Sequence, residues 1–579
     1  MRPRLPRRQA ERRGLHLWPV GFVLVLAFTT AVLVAVAVFY AGWDLLDARE
    51  LKPEHRIDSK TLFELVKLAF GVVAGAGALV ALVVAYRRQR VDEDGALRDA
   101  TRLHTERFTT AVSQLGDASA AVRLGGVHAL AGLADDAPTR ELRQTCIDVL
   151  CAYLRLPYTA GAELPADDAA ALHTYLALRE VRHTVIRLIR DHLRLPLRHH
   201  HAWQGHNFDF TGVTFDGADL GGAVFSDGIV SFRRAVFSGG RVDFSSAEFS
   251  GGTVDFSSAE FSGSATDFSG ATFSSSTVDF SGATFSGGTV KYSGVTFSGG
   301  TVKFSGVTFS GGTVHFRLAT FSGSRVDFNG ATFSGGTIDF SRATFSGSTV
   351  DFRGVEFSGS AIDFRGTTFS GGTVDFRRAV FSGSAIDFGG ATFSDGTVHF
   401  SEAEFFDGTI NFRVATFVGG TTDFGRATFS GGLVDFSMAR FIGGTIDFSG
   451  VTFSGSTVDF RRAIFSDGTV EFSGATFSGG TVDFSGVTFS GCTVDFRGTE
   501  FSGGLVDFDR VEFSGGTVDF SGAEFSGGMI RFWGAKFSGG MVHFIGANGA
   551  APPGLVNSAG SPLPDGLIPA ADWQLSDPS

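Results

Sequence analysis

A phenylalanine recurs every twelve residues through most of this chain. Starting at Phe232, the positions reached in steps of twelve are all Phe, apart from Tyr292, as far as Phe544. A second series with the same step runs from Phe237 to Phe537, so the two series alternate at spacings of five and seven. The first series holds 26 periods without a slip. Such regularity is typical of a solenoid of stacked repeats rather than of ordinary globular domains.

Each period consists of two five-residue units and a two-residue insert. Residues 254–258 read V-D-F-S-S and residues 259–263 read A-E-F-S-G, with an aromatic residue at the centre of each unit. Alternation along a strand places Val254 and Phe256 on one side and Asp255 on the other. The small residues that follow each aromatic residue are suited to a sharp corner. Each unit is therefore predicted to form one short strand and one corner.

The size of the aromatic side chains decides how many units make one coil. Two units would enclose two Phe and two aliphatic side chains in a flattened loop that is too small to hold them. Four units give a rectangular coil of 24 residues, with Phe entering from each wall, and about 13 coils between Phe232 and Phe544. At roughly 4.8 Å per coil, this predicts a rod about 60 Å long. The predicted interior begins with Phe210, Phe215, Leu220, Phe225, Phe232, Phe237, Phe244, Phe249, Phe256 and Phe261.

The first turn of the predicted solenoid lacks the two-residue insert. Its string F-T-G-V-T-F-D-G-A-D-L-G-G-A-V-F contains A-D-L and spaces its inward residues by five. This string, and the small-x-aromatic repeats after it, resemble the bacterial pentapeptide-repeat family, whose units read A-(D/N)-L-x-x. The resemblance covers about 60% of the chain. It implies a mainly β fold, a right-handed quadrilateral β-solenoid over residues 207–548.

Two apolar runs precede the repeats. Residues 1–16 are rich in arginine, and residues 17–40 and 65–86 are each long and apolar enough to cross a bilayer as a helix. A signal peptide is the competing interpretation of the first run, but its apolar core would be shorter and would end at a small-residue cleavage site. Arginines at both outer ends predict a transmembrane hairpin with an external loop at residues 41–64. The predicted location is a bacterial plasma membrane, with the N-terminus and the repeats in the cytoplasm.

Gly71 and Gly75 form a G-x-x-x-G pattern in the second predicted transmembrane helix. Without side chains at these positions, two helix backbones can approach closely. The pattern could pack the two helices of one chain or join two chains in a homodimer. The alternative interpretation is a flexible helix that is rich in small residues.

Residues 92–195 are predicted to form amphipathic helices that link the apolar runs to the solenoid and cover its first coil. After them, His199, His200, His201 and His206 stand near Trp203. The cluster could hold a metal, but no Cys, Asp or Glu with ligand spacing accompanies it, so we predict a polar linker. Residues 549–579 are predicted to form an irregular tail that folds over the last coil, with Trp573 as a plug.

Aspartate usually occupies the outward position before a Phe of the first series. These residues are predicted to form two columns on opposite walls, and neighbouring arginines can offset the repulsion within each column. One interpretation is a solvated wall that prevents edge-to-edge aggregation, and the other is a surface for a partner. Single columns lack the six to eight oxygens that Ca²⁺ prefers. The candidate partner surface is represented by Asp243, Asp255, Asp267, Asp279, Asp327 and Asp339.

The sequence contains no pattern that predicts catalysis. G-G-T recurs without the G-K-[ST] of a phosphate-binding loop, and no zinc-ligand spacing or fixed Ser, His and acidic triad is present. We therefore expect no cofactor, no metal and no nucleic acid. The predicted function is a membrane-anchored, non-catalytic scaffold or protein-interaction rod. The alternative, implied by the resemblance, is an acidic solenoid that imitates DNA and occupies a topoisomerase or another DNA-binding protein.

Overall fold

The computed structural model describes residues 20–45, 58–161, 168–262, 265–555 and 566–573. The chain consists of two units, residues 1–106 and residues 107–579. Helix α1 spans Val20–Leu45 and helix α2 spans Ser59–Leu115. Helix α2 therefore begins in the first unit and ends in the second.

The predicted transmembrane hairpin is not supported. Within the described ranges, no helix combines the length and the apolar character needed to cross a membrane. In addition, the second helix does not end near residue 86 as predicted, because α2 continues through the charged residues that follow. Pairs along the helix face stabilise this continuation, such as Gln89 with Glu93 at 3.1 Å and Arg102 with Glu106 at 3.0 Å. The predicted segment 1–16 and residues 46–57 of the predicted loop lie outside the described residues.

Three shorter helices open the second unit: α3 at Ala120–Asp135, α4 at Arg140–Leu154 and α5 at Ala169–Leu193. The Thr139 hydroxyl caps α4 by accepting from the Leu142 amide at 3.3 Å, and an Asp side chain caps α5 in the same way. Gly126 allows α3 to approach the end of α2, since a Cβ there would lie 2.6 Å from the Leu115 backbone nitrogen. The buried face of these helices is made by Val127, Leu130, Ile147, Leu150, Val185 and Ile189.

The helical segment covers the first coil of the solenoid, as the sequence predicted. Arg155 donates to the Asp209 carbonyl at 2.7 Å. Arg182 is only 4% exposed, and its two terminal nitrogens donate to the carbonyls of Leu154 and Thr214, both at 2.7 Å. Carbonyls at the open end of the first coil therefore receive side-chain donors in place of another strand.

Short strands then form four walls, which we number in chain order around the coil. Each wall repeats its strands at 24-residue intervals with few exceptions. Wall 1 begins with Phe208–Asp209, Ile229–Ser231 and Thr253–Asp255 and reaches Met541–His543. Wall 2 begins with Thr214–Phe215 and Val236–Ser238 and ends at Asn548–Gly549, and wall 3 begins with Ala218–Asp219, Val242–Asp243 and Ala265–Asp267. Wall 4 begins with Val224–Ser226 and Glu248–Ser250 and ends at Lys536–Ser538. Two longer strands, Glu500–Asp507 and Glu524–Arg531, run through both wall 2 and wall 3 and join them into one sheet.

The prediction of four walls and about 24 residues per coil is confirmed. All strands of a wall pair in parallel, and residues 24 apart lie in register, as in Thr277 opposite Thr301 and Val278 opposite Val302. There are about 15 turns rather than 13, because the walls begin at residue 208 and the tail strand Leu567–Ile568 pairs onto the end of wall 1. The right-handed sense that the resemblance implies stays a prediction.

Four ladders of stacked aromatic rings fill the interior. All ten residues of the predicted interior are buried. Within a ladder, rings one coil apart stack almost in parallel, as for Phe376 and Phe400 at 4.8 Å and 1°. Rings of opposite ladders meet edge to face, as for Phe388 and Phe400 at 6.2 Å and 88°. Both arrangements are favourable for aromatic quadrupoles, so the coil rise and the ring geometry support each other.

The tail closes the far end of the solenoid. The Trp573 ring packs 5.0 Å from Phe544 and 5.8 Å from Phe525, and its Nε1 donates to the Gly549 carbonyl at 2.9 Å. Trp573, which the sequence predicted as a plug, thus covers the rings of Phe525 and Phe544 at the end of the solenoid.

Candidate interaction surface

The six aspartates of the predicted partner surface lie on two walls, and each has a structural role that the sequence analysis missed. Asp255, Asp279 and Asp327 lie on wall 1, and the other three on wall 3. In each, Oδ1 accepts a hydrogen bond from the backbone amide two residues later, at 2.8 or 2.9 Å. This is the Asx-turn geometry, and it fixes the corner that follows the Phe. The turn leaves Oδ2, and in Asp267 and Asp279 this atom already accepts from Arg241 at 3.0 Å and from Lys303 at 3.3 Å.

The same turn occurs in most coils, including one without a charge. Asn411 stands in the wall 3 column, and its Oδ1 accepts from the Arg413 amide at 2.8 Å. An amide oxygen therefore replaces the carboxylate at this corner. At this corner the turn therefore needs an acceptor oxygen on a short side chain but no negative charge.

Basic residues offset the repulsion along the columns, as expected. Lys303 interrupts wall 1, and its Nζ lies 3.3 Å from Asp279. Arg377, two residues after Asp375, folds back onto that carboxylate at 2.5 Å. Burial raises the pKa of Asp375, but the hydrogen bonds and charge of Arg377 outweigh it and lower the pKa overall. The same fold-back pair is made by Arg353, Arg365, Arg461 and Arg497.

Like the corner between wall 1 and wall 2, where Arg378 has a φ of 57°, the corner between wall 3 and wall 4 has a left-handed backbone. Its second residue, two positions after the Phe, has a left-handed φ in every coil where it is described, and in several coils it is not glycine. Val414 and Met438 have φ of 59° and 57° there, and Arg462 and Arg510 have φ of 58° and 57°. A β-branched residue in this region is an outlier. The small residues after each aromatic residue predicted a sharp corner here, but not that larger residues would adopt a positive φ in it.

The histidines at the junction are held by hydrogen bonds and ring stacking. The His192 ring stacks on Trp203 at 4.1 Å, and both donate to Asp135 at 3.1 Å. The His206 ring lies 3.1 Å from the Gln144 side chain, and burial together with the nearby arginines lowers its pKa to about 4. No group of three or more His, Cys, Asp or Glu side chains within the described ranges is arranged to hold a metal ion.

Gly71 and Gly75 lie on α2 with open space around them. Apart from the local helix backbone, no atom of the described residues lies within 4 Å of the position that a Cβ would occupy at either residue. The predicted packing at this pair stays a prediction.

The geometry and a family comparison lead to the same fold. Residues 467–511 match the family model for pentapeptide repeats, over nine copies. The chain carries a pentapeptide-repeat β-solenoid. The match covers 45 of 579 residues, and no curated protein matches the chain. Within the matched segment, most strands alternate between T-V-D and T-F-S units with the two-residue insert described above.

Proposed function

We propose that the solenoid is a non-catalytic interaction rod, a scaffold on which a protein partner with repeating basic side chains docks. One observation carries this proposal. Wall 1 presents a carboxylate in five consecutive coils, and because the coils are in register these carboxylates repeat at roughly 4.8 Å. They are Asp423, Asp447, Glu471, Asp495 and Asp519.

The packed interior favours binding over catalysis. The space beside Ser348 and Thr422 is about 20 Å³, which is room for one water molecule. A catalytic site needs a pocket that brings several different groups together, whereas each wall repeats the same side chains from coil to coil. A repeated surface is suited to a partner that makes many similar contacts.

DNA mimicry is less favoured by the charges. Several column carboxylates are already paired with an arginine of their own coil, which reduces the negative potential that a DNA-binding protein would meet. Asp351 and Asp363 each lie 2.5 Å from such an arginine. The Asx turns also hold one oxygen of most column aspartates in the corner.

The test is proximity labelling in the native host with the full chain fused to a labelling enzyme. The variant carries Asp423→Asn, Asp447→Asn and Glu471→Gln, which remove three charges and keep the acceptor oxygens. We expect specific proteins to lose labelling in this variant. The control neutralises three consecutive carboxylates of wall 3 with Asp339→Asn, Asp363→Asn and Asp387→Asn, and should keep that labelling.

Two results would overturn the proposal. Identical labelling by the native chain and both variants would show that the wall 1 carboxylates are not needed for partner binding. Strong, salt-sensitive inhibition of topoisomerase supercoiling by the native chain, lost in the wall 1 variant, would favour DNA mimicry instead.

A location at a bacterial plasma membrane, with the rod in the cytoplasm, is likewise a proposal. It is supported by exposed apolar side chains on the first two helices, such as Leu33 at 67% and Phe70 at 71%. A reporter fused after Ser579 should be active in the cytoplasm, and the chain should stay with membranes after carbonate washing. Recovery in the soluble fraction, or reporter activity outside the cytoplasm, would contradict it.

A further inference from the structure

The corner between wall 3 and wall 4 concentrates arginine and exposed apolar side chains. The arginine ridge is the part of this corner that runs from the coil of Arg413 to the coil of Arg510. Arg413, Met438, Arg461, Arg462 and Arg510 line one open groove of about 360 Å³ along it. Arginine and methionine are enriched in protein interfaces, and arginine is frequent among the residues that dominate binding.

Several ridge side chains stand at corner positions whose backbone conformation favours glycine. The equivalent corner position is glycine in neighbouring coils, such as Gly390 and Gly486, which tolerate a positive φ. Placing Val414, Met438 or Arg462 there costs stability relative to glycine. Larger residues also occupy this position on the corner between wall 1 and wall 2, as Arg378 does, so the charge pattern rather than the strain distinguishes the ridge.

Charges of opposite sign alternate along the ridge and the adjacent edge of wall 3. Arg413, Arg462 and Arg510 make no ion pair with a carboxylate in the described part of the chain, and they are two coils apart from one another. On wall 3, Asp435 likewise has no ion pair among the described residues, and Asp483 has only a 3.7 Å contact with Arg461. These two aspartates are also two coils apart. Asp435 lies one coil after Arg413, and Asp483 lies one coil after Arg462.

This alternation makes the surface complementary to itself. A two-fold axis perpendicular to the solenoid, between the coil of Met438 and the coil of Arg462, reverses the order of the coils in a second copy. Arg413 then faces Asp483 of that copy, and Arg462 faces Asp435. Each pair occurs twice, so four ion pairs form around a centre that contains the two exposed Met438 side chains. The match in spacing follows from the common coil rise and needs no adjustment.

We propose that the arginine ridge docks a second copy of this chain in an antiparallel, two-fold dimer. The proposal does not depend on the proposed partner on wall 1, because wall 1 is opposite wall 3 and stays free. A single acidic partner protein could also bind arginines, but it would not account for the two aspartates with the same two-coil spacing beside them.

The experiment is sedimentation velocity of the full chain over a concentration series at low and high salt. We expect a dimer at low salt that weakens at high salt. Arg462→Asp and Asp435→Arg should each lower dimer affinity at least tenfold, while an equimolar mixture of the two variants should dimerise again. Both changes are compatible with the fold, since Asp467 occurs at a positive φ and Arg531 occupies a column position.

The control is Arg378→Asp, on the corner between wall 1 and wall 2, where φ is 57°. It should leave the dimer unchanged. A native chain that is monomeric at low salt, or variants that dimerise like the native chain, would overturn the proposal. So would a mixture that fails to restore the dimer, or a ridge that binds a labelled DNA duplex through Arg462 without self-association.

Discussion

Replacing Asp447 by Asn and by Ala separates the turn-forming role of a column aspartate from its charge. Oδ1 of Asp447 accepts from the Ser449 amide at 2.7 Å, and its neighbours in the column are Asp423 and Glu471. Both substitutions remove the charge and relieve the same repulsion within the column. Only Ala also removes the acceptor. The difference between the two variants is therefore the turn hydrogen bond, which contributes about 1–2 kcal/mol when the amide has no alternative partner.

Hydrogen exchange at the Ser449 amide measures this difference locally. A local probe is needed because long repeat arrays do not unfold in a single cooperative step. We expect the amide to exchange about 5- to 30-fold faster in Asp447→Ala than in Asp447→Asn, which corresponds to about 1–2 kcal/mol. Asn411→Ala should have an effect of the same size, and Asn411→Asp a small one. Equal exchange in the Ala and Asn variants would refute the turn role.

Three further outcomes are expected. Tyr292 is fully buried in a Phe ladder, and its hydroxyl has no hydrogen-bond partner among the described residues. Tyr292→Phe should therefore stabilise its coils by about 1–2 kcal/mol, measured as slower hydrogen exchange of the neighbouring amides, and faster exchange would contradict this. Phe388→Ala removes a ring stacked on Phe364 and Phe412 at 4.7 and 4.8 Å and should lower the stability of its coils by about 3–5 kcal/mol. Phe388→Leu should lower it less, and an equal loss in both variants would argue against ring packing. Burial and nearby arginines lower the pKa of His206 to about 4, against an ordinary value of 6.5, so stability at the junction should fall by about 3 kcal/mol as pH drops from 6.5 to 4. His206→Gln should remove that dependence, measured by hydrogen exchange of the junction amides after correction for the intrinsic rate at each pH; an unchanged dependence would contradict this.

The architecture of the solenoid could be predicted because one physical constraint dominates it. A Phe at the centre of almost every unit needs a coil wide enough for four aromatic ladders, and a strict period leaves one way to stack them. The short repeat also makes inward and outward positions visible from alternation alone. For this reason the interior from Phe210 onward follows directly from the sequence.

The role of the outward aspartates could not be found by that argument. Alternation indicates that Asp255 points outward, but not that its Oδ1 turns back to the corner amide. The replacement of Asp by Asn at position 411 was the available signal, because it keeps the acceptor and loses the charge. The helix α2 was misjudged for a related reason. The charged residues after Tyr86 predicted the end of a transmembrane helix. The helix continues through them because Arg and Glu are also good helix formers.

The 24-residue coil also determines how such a chain can change its length over generations. Near-identical repeats favour unequal exchange between copies of the gene. Gain or loss of 24 residues adds or removes one complete coil, and every outward column continues in line from one end cap to the other. Gain or loss of twelve residues restores the alternation of units equally well, but it turns all following coils by half a turn. A binding face that runs along one wall therefore tolerates the first kind of mutation and is split by the second.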